Sequence, residues 1–247
     1  FYLRVGAMLK ALAATAKEVV LLTPTLPSPT SQKVIADFIA AYPNVRQVIY
    51  DTVSSDAALN AYEKYYGKRA LVDYDFSKVK TIVSVDADFL GDWQGGGYDE
   101  GYAASRIPSR DHGKAEMSQH FHFESNMSLT GANADHRFPC TPADQKNILA
   151  YMYDRLIGGN AGKLSEELKP TAEKALAALQ KSGTKGVLVT GIEDEAAQAV
   201  VLAINTHLNS EAFHPESPKL IRQGNTKRVR EAFQAIEAGT VSGLISV

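Results

Sequence analysis

Short apolar runs take turns with helical stripes over residues 18–85, and that alternation leaves few folds open to the chain. Residues 18–23 form a compact strand-type run that Pro24, Pro27 and Pro29 halt. Ser31 is placed to cap a helix in which Val34, Ile35, Phe38, Ile39 and Tyr42 share one face, until Pro43 and Asn44 end it. Residues 45–50 return as a strand, and Ser54 or Ser55 starts a second helix that Gly67 closes. Residues 70–74 and 81–85 add two more strands. Units of this kind need right-handed crossovers and a parallel sheet covered by helices. The expected class is α/β, with two Rossmann-like, mostly parallel sheet subdomains at residues 1–162 and 163–247.

The pattern dissolves between residues 91 and 114 into glycine, acids, serine and arginine, with Gly95-Gly96-Gly97 at the tip, and reads as a long irregular loop. Residues 119–124 alternate as a strand with one buried face. Helices are expected at 144–156 and 165–179, with a hinge at 158–162 between them. A second series follows: strand 187–190, helix 193–208, weak strand 219–222, helix 226–238 and strand 244–247. That last strand stops without the loop and helix a doubly wound fold supplies next, so the chain is expected to be a segment of a longer polypeptide, truncated at its C-terminus.

Composition narrows the function classes. The 247 residues are 45% hydrophobic and carry a formal charge of −2, spread evenly, so neither half advertises nucleic acid or anionic lipid. The single cysteine, Cys140, excludes an internal disulfide and an iron–sulfur cluster ligated by this chain alone. Its place after Phe138 and Pro139 reads as an incidental thiol in a loop. The longest strand-like apolar run, Val19 to Leu22, is far short of the roughly 20 residues that span a bilayer.

Two constellations could carry chemistry. Asp86 and Asp88 leave the carboxyl end of a strand, where parallel sheets place ligands, and period two sets them on one side. This pair resembles the nucleophile motif of haloacid-dehalogenase-type phosphatases, which implies a Mg²⁺-dependent phosphohydrolase with Asp86 as nucleophile and Asp88 as acid/base. Leu90 departs from that family's threonine or valine, and the motif sits on the fourth strand rather than the first. The plainer outcome is that both carboxylates cap the following turn. His120 and His122 place two imidazoles on one strand face with Glu124, a spacing that suits zinc if His112 or His136 completes the set. Hydrogen-bonded strand histidines are the commoner result. Acids in the stretch 191–195 and at Asp86, Asp88 and Asp92 make both natural nucleotide positions hostile to pyrophosphate. No catalytic, cofactor-binding or metal residue is assigned on these grounds.

The stretch from Glu124 to Pro139, with Ser128 to Arg137 at its centre, and the stretch from Ser84 to Gly91 together closely resemble the molybdopterin-oxidoreductase-like large subunit of alternative complex III, a bacterial quinol:electron-acceptor oxidoreductase. Residues 186–247 resemble the next αβ domain of that subunit. The resemblance implies a fold of the molybdopterin oxidoreductase type and a non-catalytic, cofactor-free scaffold on the periplasmic side of the inner membrane. It further implies iron–sulfur clusters in the rest of the polypeptide, and as partners a multihaem cytochrome and integral membrane quinol-binding subunits. An active molybdenum bis-pterin oxidoreductase is the alternative within the same fold. Under this resemblance, Thr130, Asn133 and Asp135 hydrogen-bond a turn that Gly131 permits, and Arg137 pairs with an acid.

Overall fold

The computed structural model describes residues 2–15, 17–108, 116–160 and 163–247. Along the chain run α1 (Tyr2–Ala13), β1 (Glu18–Thr23), α2 (Pro29–Ala41), β2 (Val45–Ile49), α3 (Asp56–Tyr66), β3 (Leu71–Tyr74), β4 (Thr81–Val85), α4 (Asp99–Arg106) and β5 (Gln119–Glu124). Then come α5 (Leu129–Ala132), β6 (His136–Pro139), α6 (Pro142–Leu156), α7 (Lys169–Ser182), β7 (Gly186–Thr190), α8 (Glu195–Leu208), β8 (Phe213–Lys219), α9 (Thr226–Glu237) and β9 (Val241–Ser246). The fold is mixed α/β with two parallel sheets and one antiparallel ribbon.

Contacts divide the chain into two units. The first joins the residues up to Asp56 with Leu220–Val247, and the second is Ala57–Lys219. Both α6 and α7, which flank the boundary read from the sequence at residue 162, belong to the second unit.

In the first unit, β1 lies between β2 and β9, all parallel. Ser28, not Ser31, caps α2, because Pro29 fits the first helical position and the Ser28 hydroxyl accepts from the Ser31 N–H at 3.5 Å. At the carboxyl edge, Asp51 accepts from the Thr25 N–H (2.8 Å), the Thr25 hydroxyl (2.6 Å) and the Gly224 N–H (2.9 Å). Burial pushes this carboxyl up, but those hydrogen bonds outweigh it and hold it below the usual carboxylate range.

In the second unit, a parallel sheet of order β6-β5-β4-β7 carries the core on both faces, and β3 pairs antiparallel with β8. Period two sends Val83, Val85, Phe121, Phe123 and Leu188 to one face, against Ile148, Met152, Leu176 and Leu179 of α6 and α7. The other face carries Ile82, Val187 and Val189 beside Phe89 and Tyr102. So β5 is buried on both sides, not one. Thr141 and Asp144 form a capping box at α6, and Asp194 caps α8 by accepting from the Ala197 N–H at 3.0 Å.

Several expectations need correction. Residues 109–114 of the expected 91–114 loop lie outside the described residues, and the part before them contains α4, whose only buried side chain is Tyr102, so no apolar stripe announces it. The weak strand expected at 219–222 is β8, ending at Lys219, and its two prolines disguise it. Ala161 and Gly162 of the expected hinge lie outside the described residues, whereas Gly158 takes a φ of 112°.

Candidate functional site

The chain leaves β4 through α4 toward β5 and β6 on one side, and later enters β7 on the other. The carboxyl ends of β4 and β7 are therefore the topological switch point, where open parallel sheets receive ligands. Here the two ends are knitted together. The Gly191 N–H and the Thr190 hydroxyl both donate to the Val85 carbonyl at 2.9 Å. A Cβ on Gly191 would lie 1.8 Å from the Asp86 carbonyl oxygen, so only glycine fits. Trp93 Nε1 donates to the Thr190 carbonyl at 3.1 Å, and Gln198 Nε2 donates to the Ile192 carbonyl at 3.0 Å.

The two aspartates do not stay on one side. The strand ends at Val85, and Asp86 turns left-handed at φ 57°. Its exposed carboxylate accepts from Gln145 Nε2 at 3.2 Å, and the same amide reaches Ser125 Oγ at 3.1 Å. Burial of its surroundings pushes the Asp86 carboxyl up. Asp88 instead accepts from the Thr130 N–H at 2.9 Å, while Thr130 Oγ1 accepts from the Leu90 N–H at 2.9 Å. Asp88 is a turn cap, spent on the loop that follows.

The histidines sit one layer deeper, in a continuous hydrogen-bonded chain. Ser84 Oγ lies 2.7 Å from His120 Nε2 and also meets His122 Nδ1. His122 Nε2 is 2.9 Å from Glu124 Oε2, and Glu124 accepts from Arg137 and from the Ser128 N–H at 3.0 Å. At the far end, Tyr102 Oη lies 3.3 Å from His120 Nδ1 and 2.9 Å from the Asn133 carbonyl, with one hydroxyl proton shared between the two acceptors. Ser84, His120 and His122 are wholly buried. Asp135 fixes the strand beside them, accepting from the His120 N–H at 2.8 Å and two hydrogen bonds from Arg106.

Charge sets the direction of this chain. Burial pushes Glu124 up, but hydrogen bonds from Ser128 and Arg137 outweigh it, so the carboxyl stays below its ordinary range and ionised. Burial pushes His120 down to about 3 and lowers His122 as well, so both rings are neutral at pH 7. An ionised Glu124 only accepts, so His122 carries its proton on Nε2. Ser84 then donates to His122 Nδ1 and accepts from His120 Nε2. Every polar group from Arg137 to Ser84 has a partner, and the ordered Ser–His–Glu set is sealed from substrate by its burial.

Of the other zinc ligands considered, His112 lies outside the described residues. His136 belongs to the opposite face, packed on Phe121 at 4.7 Å between ring centroids and 3.1 Å from Gln119 Nε2. Among the described residues, no group of three or more His, Cys, Asp or Glu side chains is arranged to hold a metal ion. Cys140 is half-buried, and burial with the nearby Asp144 and Asp86 pushes its thiol up to about 11, which keeps it protonated and unreactive.

No known protein family matches the chain, and no curated protein does. A solved structure does. The chain is similar to a subunit of the formyltransferase/hydrolase complex (FhcABCD) of Methylorubrum extorquens, crystallised with methylofuran. The likeness has a TM-score of 0.55 at 16% identity, and covers 98% of this chain and 72% of that one. It is a likeness of fold.

That finding overturns the resemblance to the alternative complex III subunit, and with it the scaffold role in a quinol-oxidising respiratory chain. The multihaem cytochrome and quinol-binding partners and the periplasmic membrane setting fall with it. No described helix is long and apolar enough to cross a membrane. The signature from Glu124 to Pro139 has a local explanation instead. A Cβ on Gly131 would lie 1.9 Å from Glu124 Oε1, so the glycine makes room for the buried carboxylate that Arg137 neutralises.

Ser84, Tyr102, Gln145 and Trp93 were invisible as site residues in the sequence. Ser84 stands in an apolar strand, and the partners of the other three come from distant segments. One signal was present: Ser84 is the polar residue on the face of β4 that carries Ile82 and looks toward the two histidines, in register with His122.

Proposed function

We propose that this chain is a subunit of a multi-subunit assembly for formyl transfer and hydrolysis, to which it contributes a folded α/β body and its surfaces. One observation carries the reading: the similarity in fold to a subunit of such a complex over 98% of the chain. The site agrees with it, because the switch point is filled by Trp93 and Gly191 and the Ser–His–Glu set is sealed. Within this proposal the four-stranded sheet is Rossmann-like, for which the support is its strand order. The test is to isolate the tagged chain from its native source under gentle conditions. Elution well above the mass of the tagged polypeptide itself, in an assembly that transfers formyl groups, is the expected result. Elution alone at that mass, or with haem absorbance, sinks it.

A second reading, hydrolysis assisted by Asp86, is favoured by its exposed, left-handed position at the switch point and its upward-pushed carboxyl. The Asp86–Asp88 pairing of a Mg²⁺ phosphohydrolase is not what the loop provides, since Asp88 caps the Thr130 turn. In this reading Asp86 takes a proton from water attacking a carbonyl. Turnover of a formyl amide that Asp86→Asn abolishes supports it; equal turnover by both proteins retires it.

A further inference from the structure

The buried chain of histidines has an unused capacity, which follows from counting its protons and acceptors. With both rings neutral, the protons all point one way: from His120 Nε2 to Ser84 at 2.7 Å, from Ser84 to His122 Nδ1, and from His122 Nε2 to Glu124 Oε2 at 2.9 Å. That ordering leaves one bond unmade. Tyr102 Oη faces two acceptors, His120 Nδ1 at 3.3 Å and the Asn133 carbonyl at 2.9 Å, and has a single proton for both.

A second ordering makes every bond, and it holds one proton more. When His122 is protonated on both nitrogens, its Nδ1 donates to Ser84 and Ser84 donates to His120 Nε2. His120 then bears its proton on Nδ1 and donates to Tyr102 Oη, whose own proton goes wholly to Asn133. The balance closes with one proton entering at His120 Nδ1: Nε2 passes its proton to Ser84, and Ser84 passes its own to His122 Nδ1. Ser84 Oγ also lies 3.5 Å from the Phe121 carbonyl, at the limit of a hydrogen bond, so His120 at 2.7 Å is the better acceptor. The surrounding charges select His122 as the holder. It faces the carboxylates of Glu124, Asp86 and Asp88, whereas His120 faces Arg106 of α4 as well as Asp135, and Arg137 of β6 is spent on Glu124. A second proton does not fit, because both rings would then aim N–H groups at Ser84 and leave its proton only the distant Phe121 carbonyl.

We infer that this chain is a one-proton switch, in which charging His122 flips His120 from its Nε2–H to its Nδ1–H tautomer and commits Tyr102 of α4 to the Asn133 carbonyl. The inference is independent of the function proposed above. The test is nitrogen NMR of the protein labelled at histidine, titrated from about pH 8 to about pH 4. His122 should pass from one N–H to two. At the same midpoint, His120 Nδ1 should change from an acceptor to an N–H while that ring stays neutral. Ser84→Ala breaks the relay, so His122 still charges but His120 keeps one tautomer throughout. Tyr102→Phe removes the acceptor of the flipped ring and should lower the shared midpoint by about one pH unit, the worth of one hydrogen bond. Should either variant fold poorly, the titration of the native chain still decides. Both rings charging together, a His120 that keeps one tautomer in the native chain while His122 charges, or loss of the fold before either ring changes would each overturn the inference. So would an unshifted midpoint in folded Tyr102→Phe.

Discussion

The two faces of the four-stranded sheet are equally dry and differ in chemistry, since only one of them adds a buried polar chain to its apolar packing. One packs Val83, Val85, Phe121 and Phe123 against α6 and α7, while the other buries Ser84, His120, His122 and Glu124. Burial of the first stabilises in proportion to apolar area, whatever the register of individual atoms. Burial of the second is tolerable only because each polar group meets another. The apolar face therefore tolerates approximate changes of shape, and the polar face tolerates none that leaves one member alone.

The largest effects test that asymmetry directly. Glu124→Leu strands the Arg137 guanidinium and the Ser128 N–H, and should cost about 3–5 kcal/mol in urea unfolding. Phe121→Ala should cost a similar ~3–5 kcal/mol through its cavity. The faces separate in the double variant: adding Arg137→Met to Glu124→Leu should recover part of the loss, because removing both partners leaves less charge stranded. A Glu124→Leu loss that Arg137→Met deepens would break the comparison.

Next in size is Ser84→Ala, which removes the bridge between the two rings and should cost about 1–3 kcal/mol. Ser84→Thr, keeping the hydroxyl, is the check on whether the hydrogen bonds or the space matter.

Acid should then act on one face alone. His120 and His122 resist protonation in the folded protein but accept protons near pH 6.5 when unfolded, so the unfolded state binds more protons below that value. Their contribution is intact above about pH 6.5 and declines below it, for His120 down to about pH 3 at up to ~1.4 kcal/mol per pH unit. Stability measured across this window should slope in the native chain. Phe121→Leu should lower the curve without changing its slope, and a changed slope would show that the faces are coupled. The smallest effect belongs to the rim: Asp86→Asn, exposed, should alter stability by less than about 0.5 kcal/mol.

How much of this was legible follows the same division. The strands β1, β4, β5 and β7 and the helices α8 and α9 stand out in the sequence because apolar periodicity reports burial by dry packing. The polar face writes no periodicity. His120, His122 and Glu124 read as one face, as they are, but their partners Ser84, Tyr102 and Arg137 lie on other elements, and only the register of β4, β5 and β6 brings them together. His136, weighed as a third zinc ligand, is kept from the other two histidines for the same reason, since register places it over Phe121. Asp88 caps the following turn, as the plainer reading of the pair expects, whereas the shared side expected for Asp86 and Asp88 fails because period two stops where the strand stops, at Val85. The resemblance to a respiratory subunit rested on residues such as Gly131 and Arg137, whose local duty is to house a buried carboxylate.

The division of the chain also sets an order of events during synthesis. The first unit needs β9 to flank β1, and β9 follows every segment of the second unit in the sequence, so those segments emerge from the ribosome before it. Domains usually complete in the order they are made. Here the interrupted unit closes after the one inserted in it, and the apolar edge of β1, with Val19, Val20 and Leu21, waits for its partner while the inserted unit folds.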